Sequence, residues 1–209
     1  MKRWVILGAA EIKDYTLIKS KITADDFIVC ADGGLRHLEP LGLKADLILG
    51  DFDSADKPDS SAETLVYPVE KDDTDTMLAI KTGLSRGCRS FIIFGGTGGR
   101  FDHTVANIQA LNYAEKHSAS AVLADEGNFI FLLKNDKAYI EKNPGEKVSV
   151  FAWNGPAHGV TLEGFYYPLK NASLFEHNPV GVSNFITSGR GAVSVKKGTL
   201  LIVISKENQ

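Results

Sequence analysis

The sequence predicts an α/β domain followed by a smaller all-β domain. Short apolar runs alternate with amphipathic stretches over the first two-thirds of the 209 residues. From about Asp136 no helical period persists, and β-type runs punctuated by Gly, Asn and Pro follow. The first pattern is that of a mostly parallel open sheet with flanking helices, the second that of an all-β sandwich. The expected domains are residues 1–136 and 137–209.

In chain order, the predicted strands of the first part are Trp4–Leu7, Phe27–Ala31, Leu47–Leu49, Thr64–Val69, Phe91–Phe94 and Ala121–Ala124. They are continuous in Val, Ile, Leu and Phe, as strands covered on both faces must be. Between them, Thr74–Arg86 places Met77, Leu78, Ile80 and Leu84 on one side of a helix, with Gly87 as its stop. His103–His117 does the same with Val105, Ile108 and Leu111. The second part predicts strands at Tyr139–Glu141, Val148–Ala152, Gly159–Leu162, Ala192–Val195 and Leu200–Ile204, with turns at Asn143-Pro144-Gly145 and Gly189–Gly191.

Composition narrows the function classes. The chain is 44% hydrophobic and 23% charged, enough for a well-buried core. Net charge is −3 with no basic run to track a nucleic acid backbone, so no nucleic acid partner is expected. The segment MKRWVILGAAEIKD turns charged too soon for a signal-peptide core and reads as a first strand. No window approaches membrane-spanning length, so no membrane partner is expected. Cys30 and Cys88 sit in or beside apolar runs and read as buried free thiols of a reducing, cytoplasmic protein.

Acidic motifs follow three of the apolar runs: Asp32-Gly33-Gly34, then Gly50-Asp51-Phe52-Asp53-Ser54, then Lys71-Asp72-Asp73-Thr74-Asp75. In a parallel sheet all strand C-termini open onto one edge, so these carboxylates are expected to converge. Asp51 and Asp53 are two residues apart and point to the same side of an extended backbone. Carboxylates so packed repel unless a cation sits among them, and magnesium suits their hard oxygens. Each motif also has a plainer reading. Asp32-Gly33-Gly34 is a common turn, and Asp73 or Thr74 can serve as a helix cap. Recurrence at three strand ends favours chemistry over the separate explanations.

A fourth motif, Gly95-Gly96-Thr97-Gly98-Gly99-Arg100-Phe101-Asp102-His103, leads into a predicted helix. Glycines allow close approach of phosphates, the helix N-terminus adds positive partial charge, and Arg100 offers a fork for phosphate oxygens. It is neither a Walker A loop nor the dinucleotide fingerprint. His103 is open to a catalytic role or to a simple helix-entry role.

Taken in order, these motifs resemble the thiamine pyrophosphokinase family: Ala31-Asp32-Gly33-Gly34, Gly50-Asp51-Phe52-Asp53-Ser54, Asp73-Thr74-Asp75 and Gly99-Arg100-Phe101-Asp102-His103. Ser183-Asn184, ahead of Ser188-Gly189-Arg190-Gly191, is a weaker match. The resemblance runs over nearly the whole chain. It implies an α/β catalytic domain that takes ATP and Mg2+, a β-sandwich that helps bind thiamine, and a homodimer with active sites at the subunit interface. By position, Asp51, Asp53 and Asp75 resemble the magnesium- and diphosphate-handling carboxylates, with Asp32 beside them. Gly95, Gly96, Gly99, Arg100, Asp102 and His103 would orient the nucleotide. Asp72, Tyr167, Ser183 and Asn184 would lie at the substrate, Tyr167 standing where some relatives carry a Trp.

The implied reaction is attack of the thiamine hydroxyl on the β-phosphorus of ATP, with Asp73 or Asp32 accepting the proton. Two other readings compete. An Asp-x-Asp after a strand also marks magnesium-dependent aspartyl-phosphate phosphatases, and a non-catalytic nucleotide- or vitamin-binding regulator would need no chemistry at all.

Overall fold

The computed structural model describes residues 2–50, 61–68 and 72–206. The chain divides into two compact units, Met1–Glu126 and Gly127–Gln209. The division falls before the change of character at Asp136, because β7 (Asn128–Lys134) pairs along its length with β13 (Lys197–Lys206).

The first unit has parallel strands β1 (Trp4–Leu7), β2 (Phe27–Ala31), β3 (Leu47–Gly50), β4 (Glu63–Val66), β5 (Ser90–Phe94) and β6 (Ser120–Ala124). Their order is β4-β3-β2-β1-β5-β6, and every pairing among them is parallel. Val5, Ile6 and Leu7 of β1 and Ile93 and Phe94 of β5 are fully buried, which is why these runs carry no polar alternation. Strand order reverses at β1, whose neighbours are β2 and β5. Ligands of open α/β sheets bind at such a reversal, beyond the strand C-termini.

The helices begin and end near their expected positions and bury Ile80 and Leu111 as expected, but the rest of their inward faces differs. In α3 (Asp75–Ser85) Thr76, Ala79, Ile80 and Gly83 face inward, while Met77, Leu78 and Leu84 are half-buried. The inward face needs small residues, since a Cβ on Gly83 would collide with the Phe91 ring. In α4 (Phe101–Lys116) the buried positions are Asn107, Ala110, Leu111 and Ala114, and Val105 lies exposed. Gly87 ends α3 as expected: at φ 85 its N–H bonds Leu84 O, and Cys88 N bonds Gly83 O. Short helices α1 (Tyr15–Lys19) and α2 (Leu38–Leu41), and a 3-10 segment Asp32–His37, had no counterpart in the expected elements.

The second unit is antiparallel in all its recorded pairings. Strands β7, β13, β9 (Glu146–Glu163), β12 (Arg190–Ser194) and β8 (Lys137–Glu141) lie in that order. β10 (Leu169–Leu174) and β11 (Gly181–Asn184) pair with β9. A single strand, β9, replaces the two expected at Val148–Ala152 and Gly159–Leu162. Asn154 (φ 58) and Gly155 (φ 123) bend it without ending it. Val148, Val150, Val160, Leu162, Val193 and Ile202 belong to its buried core. The pairings are thus mixed overall, parallel in the first unit, where a mostly parallel sheet was expected, and antiparallel in the second. Among the described residues, no helix is long and apolar enough to cross a membrane.

Candidate active site

At the reversal between β1 and β5 the chain opens a pocket of about 320 Å3. One wall is Gly8–Ala10, which leaves β1. An adjoining wall is Gly95–Gly96, which leaves β5. The walls are hydrogen-bonded to each other: Gly8 N donates to Phe94 O and Ala10 N to Gly95 O, both at 2.8 Å. Gly95 adopts φ 64, a left-handed conformation that favours glycine. A Cβ on Gly8 would stand 2.6 Å from Gly95 O, so this contact excludes larger residues.

Asp32, Asp75 and Arg100 all line this pocket, as do Gly99 and His103. Asp32 is the exposed first residue of the 3-10 segment and holds φ 50, unusual for a non-glycine residue. Such strained positions cluster at functional sites. Asp75 is the first residue of α3. Thr74 is the N-cap, accepting from Met77 N at 3.2 Å, so the capping role falls on Thr74 and leaves neither Asp73 nor Asp75 as the cap. The N-termini of α3 and α4 both contribute lining residues, and helix N-termini favour anions through their unpaired amides.

Arg100 forms a two-pronged ion pair with Asp102, whose Oδ1 also accepts from His103 N at 2.9 Å. The Arg100 hydrogen bonds hold the Asp102 carboxyl below the ordinary carboxylate range, and Asp102 raises Arg100 in turn. The pair is solvent-exposed at the mouth, so phosphate oxygens can compete for the guanidinium fork.

Other expected residues lie elsewhere. Asp51 and Asp53, and also Lys71 of the third acidic motif, fall outside the described residues. Asp72 is exposed, and it and Asp73 do not line the pocket; both Asp73 oxygens accept from Lys81 Nζ, at 2.8 and 2.6 Å. Among the described residues, no group of three or more His, Cys, Asp or Glu is arranged to hold a metal ion. In the β unit, Tyr167 is exposed and Ser183 has φ 57. Asn184 is buried, and its amide bonds the backbone of Tyr167 at both N and O.

Sequence reasoning missed several lining residues, including Ala9, Ala10, Thr76 and Asn107. Asn107 is buried and donates to Gly96 O at 2.8 Å, tying α4 to the glycine loop. A polar side chain on the inward face of α4, one residue before Ile108, was the available signal. Ala9 and Ala10 carry no such mark.

Carboxylates, a guanidinium fork, a glycine loop and two helix N-termini at a sheet reversal define a phosphate-handling α/β protein. Comparison with known proteins sharpens this. Residues 18–123 match the family described as "Thiamin pyrophosphokinase, catalytic domain", and residues 137–200 match "Thiamin pyrophosphokinase, vitamin B1 binding domain". The thiamine pyrophosphokinase of Bacillus subtilis (strain 168) is 34% identical over 183 residues, covering 84% of this chain and 86% of that one. A crystal structure of thiamine pyrophosphokinase from Bacillus subtilis superimposes with a TM-score of 0.89 at 28% identity, over 99% of this chain and 100% of that one. A thiamin pyrophosphokinase family protein from Enterococcus faecalis gives a TM-score of 0.80 at 25% identity, covering 100% of each chain. The chain belongs to the thiamin pyrophosphokinase family.

Proposed function

We propose that this chain transfers the diphosphate group of ATP to the hydroxyl of thiamine, giving thiamine diphosphate and AMP. The observation that carries the site assignment is the meeting of Asp32, Asp75 and Arg100 on one pocket between β1 and β5. The thiamine oxygen forms a bond to the β-phosphorus as the bond from that phosphorus to the bridging oxygen of AMP breaks. Such transfer depends mainly on alignment and charge neutralisation.

Arg100 and the amides at the start of α4 orient the polyphosphate. Asp32, in the pocket, takes the hydroxyl proton; Asp73, the other candidate, has both oxygens committed to Lys81. Asp75, lining the pocket, supplies a hard oxygen donor of the kind a divalent ion prefers, and fits magnesium in that respect. Asp75, with Asp51 and Asp53 beyond the described residues, would hold Mg2+, which offsets charge on the phosphate oxygens when bound. Tyr167 would offer a ring face to the cationic thiazolium, on a β unit that we read as a sandwich. Asp72 and Ser183 would lie near thiamine. A homodimer in a cytoplasmic setting completes the reading.

Incubating the purified protein with ATP, Mg2+ and thiamine tests it. AMP and thiamine diphosphate should appear in equal amounts. Release of inorganic phosphate without dependence on thiamine would overturn it. Sedimentation at micromolar concentration tests the dimer.

A further inference from the structure

His37 is buried, at 1% exposure, and takes no part in the transfer as described above. Its Nε2 lies 3.0 Å from Ala10 O, and its Nδ1 lies 2.8 Å from the Tyr15 hydroxyl. A carbonyl oxygen can only accept, so Nε2 carries the proton; in the neutral ring Nδ1 then accepts from Tyr15. Burial pushes the imidazole below its ordinary value, outweighing the raising effect of its backbone bonds to Ala10 and Gly8, which favours this neutral form. The adjacent Arg36 donates from Nη2 to Ala9 O and from Nε to Gly33 O at 3.1 Å.

These contacts have a common target. β1 ends at Leu7, so the carbonyls of Ala9 and Ala10 lie beyond the strand and need partners of their own. Arg36 and His37 supply those partners, and both belong to the 3-10 segment that begins with Asp32. Gly34 of the same segment packs directly on Leu7 O, where a Cβ would collide with the backbone. One six-residue segment therefore presents the candidate proton acceptor and also grips the Ala9–Ala10 stretch of pocket wall.

We infer that His37 is a positioning residue of the transfer site: with Arg36 it fixes the Ala9–Ala10 wall against the segment that presents Asp32. The inference rests on this pocket being the ATP site. Misplacing a binding wall by about 1 Å costs up to about a hundredfold in rate, whereas a substitution that only loosens the fold lowers stability without singling out one substrate.

The test compares His37→Gln, whose amide nitrogen replaces Nε2 as a donor, with His37→Leu, which has none. Calorimetric binding of α,β-methylene-ATP in magnesium buffer is measured first, then kcat and both KM values. His37→Leu should weaken analogue binding and kcat/KM for ATP about tenfold, with the KM for thiamine unchanged, and His37→Gln should recover most of the loss. A folded His37→Leu protein with unchanged analogue binding overturns the inference, as does equal loss in both variants. Should His37→Leu fail to fold, Tyr15→Phe removes only the hydroxyl contact to Nδ1 and should weaken the analogue about threefold; no change there overturns the inference too. A wild-type protein that binds the analogue but makes no thiamine diphosphate would defeat the transfer assignment while leaving the His37 comparison readable.

Discussion

Asn184 holds Tyr167 by both backbone polar groups: its Oδ1 accepts from Tyr167 N at 3.0 Å and its Nδ2 donates to Tyr167 O at 2.7 Å. The same Oδ1 accepts from Phe185 N at 2.9 Å. With Asn184 itself buried, its amide is spent on shaping the surface that carries Tyr166 and Tyr167. Truncating it leaves these backbone groups without their partner. Asn184→Ala should lower unfolding stability by about 2 kcal/mol in a urea titration. It should also raise the KM for thiamine more than that for ATP. An unchanged midpoint would show that other groups replace the amide.

Asp75 occupies the first turn of α3 and faces the pocket. Neutralising it removes a favourable charge at a helix N-terminus, worth only about 0.5 kcal/mol. Loss of a carboxylate in the proposed metal-handling role acts on a different scale. Asp75→Asn should leave the thermal midpoint nearly unchanged while turnover falls by at least about a hundredfold. Near-normal diphosphate transfer by the variant would remove Asp75 from the proposed set.

A carboxylate far from the chemistry carries a pH dependence. Asp26 is buried, which alone would raise its carboxyl. Hydrogen bonds from Arg3 and Thr23 N and the Arg3 charge outweigh this and hold it below the usual value. The contribution is therefore complete above the unfolded carboxylate value near 4 and disappears as pH falls through the lower folded value. Asp26→Asn should cost about 2 kcal/mol at pH 7, and the gap to wild type should narrow below about pH 4. Denaturation curves at pH 7 and pH 3 give the comparison. An equal gap at both would dismiss the ion pair as its source.

Cys30 is fully buried on β2, and burial pushes its thiol up to about 12. The thiolate is the reactive species, so native protein at pH 8 should leave Cys30 unlabelled by iodoacetamide and label it promptly in urea. Mass mapping of the alkylated peptides reads this directly. Rapid labelling without urea would mean that β2 opens readily.

The central strands were legible because burial on both faces demands unbroken apolar runs, and β1 and β2 coincide with the predicted Trp4–Leu7 and Phe27–Ala31. The pocket-lining Asp32 was legible for a related reason: it immediately follows such a run. What failed to show was structure too short to repeat. α1, α2 and the 3-10 segment each span six residues or fewer, less than the two turns over which a helical period declares itself. His37 belongs to that group; nothing in its spacing marks a residue that reaches back to Ala10. β9 was read as two strands, Val148–Ala152 and Gly159–Leu162, with Asn154-Gly155-Pro156 lying between them. In the fold it serves as a bend within one continuous strand.

The adjacency of β1 and β5 also orders events during synthesis. Its two pocket walls, at Gly8 and Gly95, come from stretches separated by β2, β3, β4 and α3. A nascent chain cannot assemble this pocket until β5 has emerged and docked on the partner made first. That closure over a long intervening loop is the kind of step that slows folding.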